Sequence, residues 1–358
     1  MKKVLAFLLV AAMLLALTAC GGAPSSSQAG DSGSGDGGNA GGETLHVGLI
    51  VNGLGTQSFN DDVWAGLEKA NAELNVEAQY IEVAEVSDVA NSLRTLIAQG
   101  CTFLVVPSSD YRDGMVEVAQ EYPDLKFLYL AAAEEGYDNI MSVEYKENEG
   151  AFLAGALAGL LTQSNQIGTV LAVQEPLQVR YQYGYMAGAA TVNPDCKVTT
   201  MFTNSYSDIN LGQEMAKALY DGGADYVSCF AGACNLGVFN AAAEAGEGKY
   251  AMGAATGQFD KLPEKIVASV VKPVDEAVFN VLKDFIENGT FNGGTASVWG
   301  LAENGVTLRY TTMNDELLAS IPQEVKDKVE ELKQQISDGT IVVPGTQEEY
   351  DEYVASLQ

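Results

Sequence analysis

Residues 45–74 read LHVGLIVNGLGTQSFNDDVWAGLEKANAEL, and the changes of character within this stretch decide the fold. The run LHVGLIV (45–51) is apolar almost throughout, as for a strand covered on both faces. NGLGTQSFN (52–60) then brings glycines, small polar residues and one large aromatic. From Asp61 onward apolar residues recur at helical spacing. A strand that passes through a glycine-bearing turn into a helix is the opening of a βαβ unit. The turn between them lies where open α/β sheets bind ligands, beyond the carboxyl end of a strand.

Working outward, the same alternation recurs. Strand-like runs fall at 78–83, 102–108, 126–131 and 140–145, with helical patterns near 61–74, 87–99 and 111–121. The series restarts after a long helix rich in small residues at 146–163. Further strands are predicted at 166–173, 197–202, 226–232, 250–256 and 265–271, and helices near 176–192, 208–220 and 236–245. Pro273 opens another helix, since proline suits a first turn. SVWGL (297–301), VTLRYT (306–311) and a last helix near 323–338 close the chain. The fold class is therefore α/β, with two doubly wound, Rossmann-like lobes. The first lobe spans 44–144 with a return segment near 272–303, and the second spans 145–271 with a closing segment near 304–345. Loops at 52–60, 107–112, 174–180, 231–236 and 255–260 each follow a strand and converge on a cleft between the lobes.

Residues 1–19 read as a signal peptide, with Lys2 and Lys3 before the apolar run VLAFLLVAAMLLAL. LTAC then ends at Cys20 and resembles a bacterial lipobox, which implies lipidation of that cysteine. Residues 20–43 are dominated by Gly and Ser, a composition for a flexible tether rather than a core. The expected location is outside the cell, lipid-anchored to the outer side of the bacterial cytoplasmic membrane. Net charge is −29, and loss of the two signal-peptide lysines lowers it to −31. That surface excludes nucleic acid and anionic lipid as partners and leaves the N-terminal lipid as the only membrane contact. Cys101, Cys196, Cys229 and Cys234 form no C-x-x-C pair, and His46 is the single histidine. Neither a metal site nor a Ser/His/Asp triad is visible, and no cofactor is expected.

Several segments, taken in order, resemble the basic-membrane-protein family of lipoproteins. They are SFN with AGLEKA, EGAFLAG (149–155), YGYMAGAATVNPDCKV (183–198), SVVKPVDEAV (269–278) and GLAENGVTL (300–308). The resemblance covers about 45–345. It implies the type I periplasmic-binding-protein fold and a role as the solute-binding part of an ABC importer, partnered by a permease and an ATPase. It further implies that aromatics sandwich a nucleobase while carboxylates and a lysine hold the polar edges. Phe59 matches the first aromatic and Lys272 the lysine. Asn52, Thr56, Ala255 and Gly257 stand where the family carries acids. The second aromatic position falls near Ser228, with Phe230 two residues on, on the same strand face.

The candidate ligand-binding residues are Asn52, Thr56, Ser58, Phe59, Asn60, Ser108, Arg180, Phe230, Gly232, Thr256 and Lys272. Asn60 reads as a helix N-cap that also reaches ligand, while Asp61, Asp62 and Glu68 read as a solvated helix face. Ser108, Ser109 and Asp110 are turn formers first. Arg180 suits the pocket or an inter-lobe pair, with a surface role as the alternative. The expected ligand is a nucleoside or a related small heterocycle. Because an Ala at 255 offers no charge-assisted bond to ribose hydroxyls, a free base, a modified nucleoside, a flavin-like ring or an unrelated solute stays open. A ligand-sensing lipoprotein that presents its ligand to a signalling partner is the other reading. An enzyme is disfavoured, since no nucleophile–base pair or phosphate loop is present.

Overall fold

The computed structural model describes residues 44–255 and 258–357. Along the chain, strands β1 (Leu45–Val51), β2 (Val76–Glu82), β3 (Phe103–Val106), β4 (Lys126–Tyr129) and β5 (Ile140–Tyr145) come first. β6 (Gln166–Leu171), β7 (Lys197–Phe202), β8 (Tyr226–Phe230), β9 (Tyr250–Ala254) and β10 (Ile266–Val271) follow, and β11 (Ala296–Trp299) and β12 (Thr307–Tyr310) are last. They form two six-stranded sheets, in the orders β2-β1-β3-β4-β5-β11 and β7-β6-β8-β9-β10-β12. The two orders are the same winding repeated. All pairings are parallel except β12, which runs antiparallel to β10.

The strand residues explain the placement. Val47, Leu49, Ile50 and Val51 of β1 are wholly buried, as are Phe103, Leu104, Val105 and Val106 of β3. Such continuous burial belongs to central strands with helices on both faces. β2 is an edge strand, and most of its side chains are half-buried or exposed. Helices α1 (Phe59–Glu73), α2 (Val89–Ala98) and α3 (Arg112–Glu121) flank the first sheet. α4 (Glu147–Leu161), α5 (Pro176–Val192), α6 (Ile209–Asp221) and α7 (Asn235–Glu244) belong to the second.

The chain passes between the sheets three times: from β5 to α4, from β10 into α8 (Val274–Asn288), and from β11 to β12. α8 packs on α1 of the first lobe, and β11 extends that lobe's sheet. α9 (Asp315–Ser320) and α10 (Gln323–Ser337) follow β12, and α10 packs on α4. A single apolar cluster runs through both lobes, from Val47 and Leu49 to Leu171 and Val270.

Two helices lie outside the sequence expectation, α9 and the last one. α11 (Gln347–Ser356) reads QEEYDEYVAS and has no buried residue, so no apolar stripe announces it. It is held by a capping box between Thr346 and Glu349, and by Tyr183 and Thr191 of α5.

The α4–α5 pair anchors the second lobe. α4 is buried nearly all round, which its small residues permit. A Cβ at Gly188 would run into the carbonyl oxygen of Phe152, and one at Gly155 into that of Tyr185. Gly188→Ala is therefore expected to destabilise by about 1–3 kcal/mol through overpacking. A thermal melt of the purified variant at the wild-type temperature would contradict this packing.

Candidate functional site

The loop after β1 is organised by Asp61. Its carboxylate accepts from the backbone N–H groups of Gly55 (2.6 Å), Thr56 (3.2 Å) and Ser58 (3.0 Å). Gln57 between them holds a left-handed φ of 53°. Ser58 occupies the N-cap of α1, so Phe59 is the first helical residue. Two sequence expectations are corrected here. Asn60 is not the N-cap, because the helix starts two positions earlier. Its side chain turns back to Asn52 Oδ1 at 2.5 Å. Asp61 is not part of a solvated face, since three N–H groups are gathered on it.

Phe59 is then placed by its surroundings. Its ring meets Tyr145 edge-on, with centroids 6.2 Å apart. Lys272 Nζ lies 4.3 Å from the Phe59 ring centroid and 5.1 Å from that of Tyr145. The ammonium over these faces is a cation–π arrangement. Lys272 is largely covered, its side chain 13% exposed, and it donates to Glu147 Oε1 at 3.4 Å. Burial lowers its pKa from the usual lysine value, and the neighbouring Glu147 opposes that shift only in part.

The second lobe supplies the other wall. Phe230, at the end of β8, stacks on Tyr181 with centroids 4.4 Å apart and planes 13° from parallel. Gln178 holds this wall in place. It accepts from Ala172 N and donates to Phe230 O, both at 3.0 Å. Tyr206 projects from the loop after β7, and its hydroxyl donates to Glu175. Burial and that carboxylate both raise the Tyr206 pKa far above the tyrosine range, which keeps the hydroxyl protonated. At the cleft mouth, Gln57 Nε2 donates across the lobes to Asp260 Oδ2 at 3.2 Å.

Between these walls lies a cavity of about 440 Å³, within the range of small-molecule sites. Its lining contains Asn52, Thr56, Ser58, Phe59, Asn60, Ser108, Phe230, Gly232 and Lys272 from the sequence-derived set. Thr256 and Cys20 lie outside the described residues. Arg180 is elsewhere. Its guanidinium binds Glu144 at 3.0 Å and Glu147 at 3.0 and 3.1 Å, and it borders a second hollow of about 690 Å³ behind α4 and α5. Helical phase explains this. Leu177, Gln178 and Tyr181 share the cleft face of α5, while Arg180 stands about 200° round the helix from Gln178. From the first lobe's strand ends only Lys146, directly after β5, lines this hollow, whereas strand-end loops from both lobes meet in the cleft.

Sequence reasoning missed Tyr206, Tyr181 and Gln178. Tyr206 shows the same signal as Phe59, an aromatic in a polar turn between a strand and a helix. Among the described residues, no cluster of His, Cys, Asp and Glu suited to a metal is present. None of the described helices is long and apolar enough to cross a membrane. Cys101, Cys196, Cys229 and Cys234 are unpaired.

Comparison with known proteins gives the family. Residues 45–347 match the Bmp family profile, described as ABC transporter substrate-binding protein, PnrA-like. The chain belongs to this family. It is thus a substrate-binding protein, not an enzyme. The Bmp relatives include the "CD4+ T-cell-stimulating antigen" of Listeria innocua, 29% identical and covering 96% of this chain and 99% of that one. The "ABC transporter nucleoside-binding protein BmpA" of Lactococcus lactis is also 29% identical, covering 82% of this chain and 87% of its own. A solved ABC transporter solute-binding protein from Aeropyrum pernix superposes with a TM-score of 0.78 at 27% identity, covering 87% and 97% of the two chains. The type I periplasmic-binding fold of this Bmp protein follows from both the sheets and that likeness.

Two outcomes follow from the site's geometry. Phe59→Ala is expected to weaken ligand binding by roughly 1–3 kcal/mol, the range for stacking on an aromatic. Calorimetry giving equal affinities would remove Phe59 from the site. Lys272, with its folded pKa below 10.5, penalises the folded state while protonated. That penalty lifts as pH rises from its lowered pKa toward 10.5. Wild-type stability relative to Lys272→Met is therefore expected to increase through that alkaline window. Denaturant melts showing a flat or falling difference would contradict it.

Proposed function

We propose that this Bmp protein captures a small heterocyclic solute, nucleoside-like in its ring, between its two lobes and delivers it to an ABC permease. Cys20 carries the lipid that holds it at the outer side of the cytoplasmic membrane. The observation that carries the reading is the cleft itself. Phe59, fixed by an Asp61-ordered loop and a buried lysine, lines a cavity that Tyr206 and Phe230 close from the other lobe. Aromatic walls with amides and hydroxyls between them suit a flat ring with polar edges. The Gln57–Asp260 bond across the mouth fits a protein that closes over its ligand. The nucleoside-binding relative from Lactococcus lactis supports the same ligand class.

The sugar is the least supported part of a nucleoside. Ala255 lines the cavity where the family resemblance implies an acid, and it holds a left-handed φ of 80°. Its methyl group offers ribose nothing. Two experiments test the reading. A calorimetric screen of bases, nucleosides and flavins should give saturable binding without turnover, and no response across the panel would sink the heterocycle. Ala255→Asp should raise affinity for ribonucleosides by about tenfold, since hydrogen bonds to charged groups contribute roughly 1.5–3 kcal/mol. An unchanged affinity for ribonucleosides would show that the sugar does not lie against this residue.

A further inference from the structure

The hollow of about 690 Å³ behind α4 and α5 lies outside the ligand cleft, and its size falls within the range of small-molecule sites. Its floor is apolar. Ile336 and Val343 are buried there, and Val179 and Ile341 add half-buried side chains. Both signs of charge ring this floor, Lys146 and Arg180 against Glu175 and Glu349. Each of the four keeps capacity to spare among the described residues. Lys146 Nζ pairs only with Glu149, at 3.2 Å, and its side chain is 45% exposed. Arg180 reaches Glu144 and Glu147 through Nε, Nη1 and Nη2, which leaves two of its five N–H donors. Glu175 accepts from Tyr206 at Oε1 alone, and Glu349 accepts from Gly345 and Thr346 at Oε2 alone. Opposite charges also approach one point. A Cβ at Gly345 would lie 3.2 Å from Arg180 Cγ and 3.7 Å from Glu349 Oε2.

We propose that this hollow is a second ligand site, which takes a small zwitterion with an apolar side chain, of the chemical class of an apolar amino acid. The side chain lies on the floor of Val179, Ile336, Ile341 and Val343. The ligand carboxylate meets Lys146, and its ammonium meets the unused oxygen of Glu349. Charge favours both heads together. A bare anion would enter against a net charge of −29, while a bare cation would face the spare donors of Lys146 and Arg180. The site is separate from the cleft by helical phase. Gln178 and Tyr181 turn to the cleft, and Val179 and Arg180 turn to the hollow.

The test is calorimetry with three probes: leucine, leucinamide, which lacks the carboxylate, and 4-methylpentanoate, which lacks the ammonium. Wild type is expected to bind leucine saturably and each analogue about tenfold more weakly, the value of one charge-assisted hydrogen bond. Lys146→Met is expected to weaken leucine by about tenfold and to leave leucinamide unchanged. Glu349→Gln can still accept from Gly345 and Thr346. It is expected to weaken leucine and to leave 4-methylpentanoate unchanged. A variant that merely misfolds would weaken both probes alike. Phe59→Ala, on the cleft wall, is expected to bind leucine as wild type does. No saturable leucine binding, or equal affinity for the three probes, overturns the inference. So does a leucine affinity unmoved by either rim substitution, or one lost in Phe59→Ala.

Discussion

The carboxylate of Glu147 is the point on which the two lobes and the ligand site depend. It is the first residue of α4, directly after the chain leaves the first sheet, and it is 1% exposed. A buried carboxylate needs partners, and this one has the cations of Lys272 and Arg180 together with the positive end of its own helix. Lys272 stands at the second crossing between lobes, and Arg180 reaches on to Glu144 in β5. One charge set therefore joins two of the crossings to the first turns of α5. Because the same Lys272 covers Phe59, the crossing and the cleft wall share their geometry.

The cleft is built with different chemistry on its two sides. In the second lobe, Gln178, Asn235 and Gln258 are each 1% exposed, and their amides hold the main chain at the ends of β6, β8 and β9. Those side chains order the second wall, and Gln258 Nε2, in the cavity lining, has no hydrogen-bond partner among the described residues. In the first lobe, Asp61 gathers the loop, and Asn52 and Asn60 keep polar atoms turned outward. A preorganised wall of this kind spares the ligand the cost of ordering it.

The legible parts of the sequence were those where one residue type has one physical use. The β1 run could only be a covered strand, and an aromatic in a polar turn at its end marked Phe59. Lys272 stood out through the motif around it. Helical phase, by contrast, needs a known helix start. Arg180 follows Gln178 by two residues and so points away from the cleft, which no loop-based reading registers. Asn60 was misread for the same reason, since Ser58 caps the helix and Phe59 begins it. Asp61 looks like surface charge until the turn it collects is seen. α11 has no buried residue, because it docks through the rings and hydroxyls of half-buried tyrosines.

The three crossings bear on the order in which the protein can form. A chain delivered N-terminus first presents β1 to β5 early, yet β11, which flanks β5, is residues 296–299. Until then the edge of β5 has no partner strand, and α1 lacks α8 to cover it. Nearly the whole second lobe must emerge before the first is complete. Unpaired strand edges invite pairing with other chains, and distant contacts form slowly. The architecture that lets two lobes share a hinge thus leaves the first of them an unfinished sheet during synthesis, in need of shelter until the chain returns.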